Sequence, residues 1–225
     1  MTAALPQPRR SRPRTGPPEP TDEGHPALRV VHPTAPVDLV AAERAAAAFL
    51  AALAVDVDTE DRRGTPGRMA RAYAEMFAPR PFDLTTFPND EGYDELVLAR
   101  SIPVQSVCEH HLLPFVGVAH VGYLPGARIL GLSKLARVVE LFARRPQVQE
   151  RLTQQVADWL QTTLGPRGVG VVIEAEHLCM TMRGVRAGGV TTVTSAVQGH
   201  LREDAAARAE FFALALPRRP DRRRR

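Results

Sequence analysis

Two cysteines and seven histidines are few enough in 225 residues to be read one by one. Cys108-Glu109-His110-His111 puts a thiol three residues before an imidazole, and His177-Leu178-Cys179 brings a second thiol and a further imidazole far downstream. Cys-x-x-His with a distant Cys offers three donors of mixed sulfur and nitrogen type. Three such ligands with a fourth position open is the pattern of catalytic zinc; a structural site closes with a fourth Cys or His. The open position holds water, whose pKa the ion lowers to about 7. Cys108, His111 and Cys179 are therefore the candidate ligands, with His110 and His177 as spare imidazoles beside them. Singly, these residues have plainer readings: a disulfide, two ordinary buried thiols, or a polar surface pair. The combination carries more than its members.

Strand periodicity adds to it. In 169–179, Val169, Val171, Ile173, Ala175, His177 and Cys179 alternate. A strand places such positions on one face, so His177 and Cys179 are expected to point the same way at the end of an apolar run. The first cluster behaves differently. In a continuing strand Cys108 and His111 would face opposite sides. They share an ion only if the chain turns across 108–111, and Glu109 and His110 then project away from it.

The surrounding elements must supply that geometry. Residues 38–54, rich in Ala with Leu39, Phe49, Leu50 and Leu53, predict a helix. Asp56–Asp61 has the acids of a calcium loop but lacks its sixth-position Gly and twelfth-position Glu, so it reads as a solvated turn. Thr65-Pro66 predicts the N-cap and first turn of a second helix, with Arg68 and Arg71 on one face. A loop covers 79–95, and alternation predicts strands over 96–107 and 115–123. Ser133 is expected to cap a helix reaching Ala143. Pro146 is expected to start another, reaching Leu164, with Val148, Leu152, Val156 and Leu160 as its buried stripe and Gly165-Pro166-Arg167-Gly168 as its end. The 169–179 strand and a Thr-rich strand near 190–197 follow. Segregated helices and strands imply an α+β domain with an antiparallel sheet.

Composition bounds the rest. The length suits one core with a small helical subdomain. No apolar run approaches a membrane span, and the N-terminus lacks a secretory h-region. Thiols offered as ligands suit a reducing, cytoplasmic compartment. The net charge of +4 belongs to the ends: residues 1–36 carry five Arg against three acids, and 217–225 carry six Arg against Asp221. The stretch between holds 18 basic and 21 acidic residues. The Pro/Arg-rich leader 1–36 and the tail 217–225 are expected to be disordered, with no specific nucleic-acid partner. The 29 basic residues include one lysine, Lys134, in Gly131-Leu132-Ser133-Lys134, where a compact ammonium suits a phosphate.

Four segments, Ser106–Pro114 (SVCEHHLLP), Gly131–Arg137 (GLSKLAR), Arg145–Thr153 (RPQVQERLT) and His177–Val185 (HLCMTMRGV), occur in the order in which similar ones occur in GTP cyclohydrolase I. The chain resembles that family from about Val37 to Leu214. The resemblance implies the tunnelling fold, in which subunit sheets close into a barrel, and a homodecamer of two pentameric rings. It implies an N-terminal helical subdomain over 37–95 and a catalytic domain over 96–216. The implied reaction is hydrolytic opening of GTP to 7,8-dihydroneopterin triphosphate and formate, the first step of folate-type pterin synthesis, in an allosteric enzyme using Zn2+. By resemblance, His110 protonates the imidazole part of the purine and His177 serves the ribose oxygens. Glu150 accepts from the guanine N1–H and amino group, assisted by Gln149. Arg68, Arg71, Lys134, Arg137 and Arg183 clamp the triphosphate, with Ser133 adding a hydroxyl at a helix N-terminus.

Two positions depart from the family pattern: Val190 stands where Ser is common, and Leu201 where Phe is frequent. The competing readings are a related tunnelling-fold enzyme of deazapurine or pterin metabolism and a zinc-stabilised binding protein without catalysis. The nitrile-reductase branch uses a nucleophilic Cys without this triad, and the pyruvoyl-tetrahydropterin synthase branch binds zinc through three His. A purely structural zinc has no use for two spare histidines and Glu150.

Overall fold

The computed structural model describes residues 29–30 and 36–216. The remaining leader and the 217–225 tail, both expected to be disordered, lie outside the described residues. Arg29–Val30 (β1), inside that leader, pairs antiparallel with Phe82–Asp83 (β2).

Helix α1 (Leu39–Ala52) starts where the Asp38 carboxylate accepts from Ala41 N at 2.9 Å, filling one orphan N–H of the first turn. Helix α2 is Thr65–Met76, and its cap differs from expectation. Gly64 occupies the N-cap position, and Thr65 is the first helical residue. The Thr65 hydroxyl instead accepts from Arg68 Nη2 at 2.9 Å, so a local guanidinium competes successfully for the capping oxygen. Within the expected 79–95 loop, β2 and β3 (Thr86–Pro88) are short strands; β3 pairs with β6 (Arg128–Leu130).

The main sheet runs β7-β4-β5-β8-β9. Strands β4 (Val97–Cys108), β5 (Pro114–Leu124), β8 (Gly168–His177) and β9 (Thr192–Gly199) are antiparallel neighbours. The two-residue β7 (Pro146–Gln147) joins β4 in parallel, pairing Cys108 with Gln147. Pro146 was expected to open the long helix; it lies in this edge pairing instead, and α4 begins at Gln149. Helix α3 is Leu132–Ala143, capped by Gly131, so Ser133 is not its N-cap. In both helices the first N–H groups are left without a side-chain cap.

Alternation sorts the sheet into two faces. Val169, Val171, Ile173 and Ala175 of β8, with Phe115, Ala119, Val121 and Tyr123 of β5, are buried beneath Leu135, Val138 and Val139 of α3 and Leu152, Val156 and Leu160 of α4. Val148, expected in that stripe, precedes the helix as its N-cap and is only partly buried. Left-handed Gly165 ends α4, as a residue without Cβ does readily. The opposite face is covered by α6 (His200–Glu203) and α7 (Ala205–Ala215), which periodicity did not predict. Phe211 of α7 packs where a Cβ on Gly170 would come within 2.6 Å of its ring, and Leu201 is buried beside it. The Leu found where Phe is frequent therefore fills core volume. Val190, by contrast, is exposed.

Strand β8 ends at His177. Leu178–Thr181 (α5) is a single helical turn, so Cys179 does not continue the alternation that puts His177 in line with Ala175. A left-handed Arg186 and three glycines at 184, 188 and 189 follow before β9.

Candidate active site

The site forms where β4, β5 and β8 end together. Cys108 closes β4, and the chain then turns: Leu112 N bonds back to Cys108 O at 2.8 Å, Cys108 N bonds to Leu113 O at 2.9 Å, and Leu112 takes φ 51°. The turn expected across 108–111 is present. Glu109 N donates to Gln147 O at 3.0 Å, and the Glu109 carboxylate pairs with Arg151 of α4. That hydrogen bond from Arg151 holds the Glu109 carboxyl below its ordinary pKa against the opposing effect of burial. Tyr73 Oη of α2 donates to Leu112 O at 2.9 Å, so α2 touches the same turn.

Cys108, His177 and Cys179 form one cluster whose ligand atoms all lie within 4.8 Å of one another. Both cysteines are free thiols and both are buried. Burial pushes the Cys179 thiol above its ordinary pKa, and neighbouring Cys108 pushes it the same way. Two sulfurs this close, not bonded as a disulfide and resisting a second negative charge, fit a soft divalent cation, which would neutralise both as thiolates. His111 Nδ1 approaches Cys108 Sγ at 3.7 Å and His110 Nδ1 at 3.9 Å, and both rings are exposed. The structure thus groups His177 with the two thiols, whereas the sequence pattern proposes His111. Either imidazole is in reach of Cys108.

His177 is held on two sides. Its ring stacks on Phe115 with centroids 4.5 Å apart and planes at 11°, and its Nε2 lies 2.8 Å from Gln149 Oε1. Burial lowers its pKa, and nearby Glu150 partly opposes this. Glu150 is exposed at the start of α4. Arg183 Nη1 donates to Cys179 O at 3.4 Å, so the expected phosphate residue of α5's flank borders the cluster. Arg137 Nη1 instead contacts Glu140 Oε2 at 3.2 Å, and Arg80 binds the same carboxylate through two nitrogens. Arg68 turns toward Thr65 and Asp61 O. Ser133 and Arg71 are exposed and Lys134 is half-buried; no contact among the described residues joins these three to the cluster.

Sequence reasoning missed Phe115, Thr153, Thr194 and Arg151. Phe115 is legible in retrospect only through the β5–β8 register, which pairs it directly with His177.

A helix-backed, curled antiparallel sheet with two buried thiols and imidazoles gathered at one end defines an α+β protein built around a candidate thiolate–imidazole metal centre. A sequence profile of GTP cyclohydrolase I matches residues 42–216. GTP cyclohydrolase 1 of Mycobacteroides abscessus is 56% identical over 191 residues, covering 82% of this chain and 94% of that protein. The protein of the same name from Streptomyces avermitilis is 58% identical, covering 79% and 90%. That from Thermobifida fusca is 55% identical, covering 81% and 91%. The chain belongs to the GTP cyclohydrolase I family. It is an enzyme of pterin biosynthesis with the tunnelling fold of that family, whose substrate is GTP. No helix among the described residues is long and apolar enough to cross a membrane.

Proposed function

We propose that the chain uses zinc to convert GTP and water into 7,8-dihydroneopterin triphosphate and formate. One observation supports the metal part of this reading: two buried free thiols brought together, with His111 Nδ1 3.7 Å from Cys108 Sγ, in a chain of this family. Thiolate and imidazole donors suit zinc, and three protein ligands leave a position open. Cys108, His111 and Cys179 would hold the ion, which supplies the Lewis acid that makes water nucleophilic at neutral pH. His177, already bound through Nε2 to Gln149, is kept for proton transfer.

The chain's own groups do the remainder. His110, exposed on the turn after Cys108, donates a proton to the imidazole part of the purine. His177 exchanges a proton with a ribose oxygen during rearrangement. The Glu150 carboxylate accepts from the guanine N1–H and amino group. Arg68, Arg71, Lys134, Arg137 and Arg183, with Ser133, receive the triphosphate. A guanidinium has five N–H donors, so Arg137 retains several beyond the one given to Glu140.

Residues 37–95 form the helical subdomain and 96–216 the catalytic one in this reading, and the enzyme works as a homodecamer of two pentamers in a reducing cytoplasm. Support for assembly comes from β9, an edge of the sheet, and from the exposed Val37, Leu39, Val40, Phe49 and Leu53 on and beside α1. The decisive test is His110→Ser. It should keep its zinc and bind GTP, and lose about 10²–10⁴-fold in the chemical step. Loss of the metal, or native turnover, would remove His110 from the acid–base role.

A further inference from the structure

Gln149 is 1% exposed although it opens a helix with a polar side chain. Every polar atom of that side chain is engaged. Its Nε2 donates to Ile173 O and Thr192 O, each at 3.0 Å, and lies 3.1 Å from Thr194 Oγ1. Two of these partners are backbone carbonyls, which only accept. The amide nitrogen must therefore face β8 and β9, and the amide cannot be turned over without setting oxygen against oxygen. A hydroxyl relay backs this up. Thr153 Oγ1 donates to Gln149 O at 2.8 Å, so across the 2.6 Å Thr153–Thr194 contact the proton comes from Thr194. Thr194 Oγ1, its proton given to Thr153, has none for an amide oxygen, so it too favours the nitrogen at this place. With its nitrogen so fixed, Gln149 presents Oε1 to His177 Nε2 at 2.8 Å. An amide oxygen only accepts, so Nε2 must carry the proton. The lone pair of neutral His177 is then on Nδ1.

We propose that Gln149 is a positioning residue for His177 rather than a guanine contact, and that it fixes His177 as the Nε2–H tautomer with Nδ1 as the working nitrogen. The stacked Phe115 ring sets the imidazole plane, and Gln149 sets its rotation and proton. With both N–H groups committed to backbone carbonyls and 1% of its surface exposed, this side chain presents no donor and no open face to guanine. The proposal deepens the role assigned to His177 above and rests on it.

Two measurements test it. Solid-state 15N spectra of the metal-free, histidine-labelled full chain report the tautomer of each ring, and His177→Asn identifies the His177 signal by its loss. The neutral ring should carry its proton on Nε2; a proton on Nδ1 overturns the proposal. In the zinc-loaded enzyme, Gln149→Met should lower kcat about 10- to 100-fold, as removal of a supporting partner does. KM for GTP and the preference for GTP over ITP, which lacks the guanine amino group, should stay close to native. A rise in KM of about tenfold with kcat intact, or a lost preference for GTP, would make Gln149 a substrate contact. Gln149→Met leaves two buried carbonyls without their donor and can fail to fold; Thr194→Val, which removes one support of the amide, should then give a smaller kcat loss of the same kind. If neither variant folds, the native 15N tautomer decides alone. Native turnover by His177→Asn would instead refute the catalytic role of His177 and leave the tautomer result standing.

Discussion

Phe115 and His177 are direct cross-strand partners, and their rings stack 4.5 Å apart at 11°. One belongs to the apolar core, fully buried, and the other to the reactive cluster. The core thereby orients a group at the site. Cross-strand pairs are the unit through which a sheet fixes side-chain positions, and this pair couples packing to chemistry.

Phe115→Leu should test that coupling. The smaller, non-planar side chain keeps the site apolar and removes the platform. A stability loss of about 1–1.5 kcal/mol is expected, read from the denaturation midpoint, together with reduced kcat at near-native zinc content. Unchanged kcat in a folded variant would show that the stack is incidental.

Metal content separates the two imidazoles near Cys108. Cys179→Ser and His111→Ser should lose most of their zinc while remaining soluble, whereas His177→Asn should retain it. Elemental analysis of the purified variants decides. Retention by His111→Ser with loss by His177→Asn would make the Cys108, His177, Cys179 grouping the true ligand set.

Glu150→Ala should cut kcat/KM for GTP about tenfold or more, since a desolvated donor pair on guanine would lose its acceptor at about 1–3 kcal/mol. ATP should stay a poor substrate of the native enzyme. Comparable use of ATP and GTP by the native chain would contradict the guanine role.

His120 gives a pH dependence. It is buried in β5, with Nε2 3.6 Å from Glu174 Oε1 and Nδ1 3.5 Å from Ser101 N at the β4 bulge. Burial lowers its pKa below 6.5, the Arg100 charge works the same way, and Glu174 opposes both. The unfolded chain then binds a proton more readily than the folded one. The contribution is fully present above the unfolded value of about 6.5 and is lost as pH falls through the folded one. Denaturation curves of the native chain should show stability declining below about pH 6.5, and His120→Gln should flatten that decline. Identical pH slopes would exclude His120 as the titrating group.

The legible parts of this chain were those written in local pattern. Alternation in 96–107, 115–123 and 169–179 pointed to the strands, though the last ends at His177, and Leu152, Val156 and Leu160 marked the buried face of α4. The parts that failed depend on which groups compete for a side chain, near or far in sequence. Thr65 and Ser133 have the chemistry of caps, yet glycines take those positions. Helix α7 went unpredicted; it packs across the second face of the sheet through Phe211 and Ala215. At the site, both cysteines and all three histidines were visible from type and spacing. Phe115, Thr153 and Thr194 were not, because an aromatic or a threonine in a strand is ordinary until the register shows its partner. Gln149 was expected beside Glu150 at the guanine; its burial against β8 and β9 follows only from the fold.

The central claim is that this chain opens GTP by metal-dependent hydrolysis. The most direct measurement incubates the purified full chain with GTP and follows formate and 7,8-dihydroneopterin triphosphate together, before chelation, after it, and after zinc is restored. Equal amounts of both products are expected, with loss of both on chelation and return of both with zinc. Undiminished turnover by protein proven free of metal, or formate release without the pterin product, would contradict it.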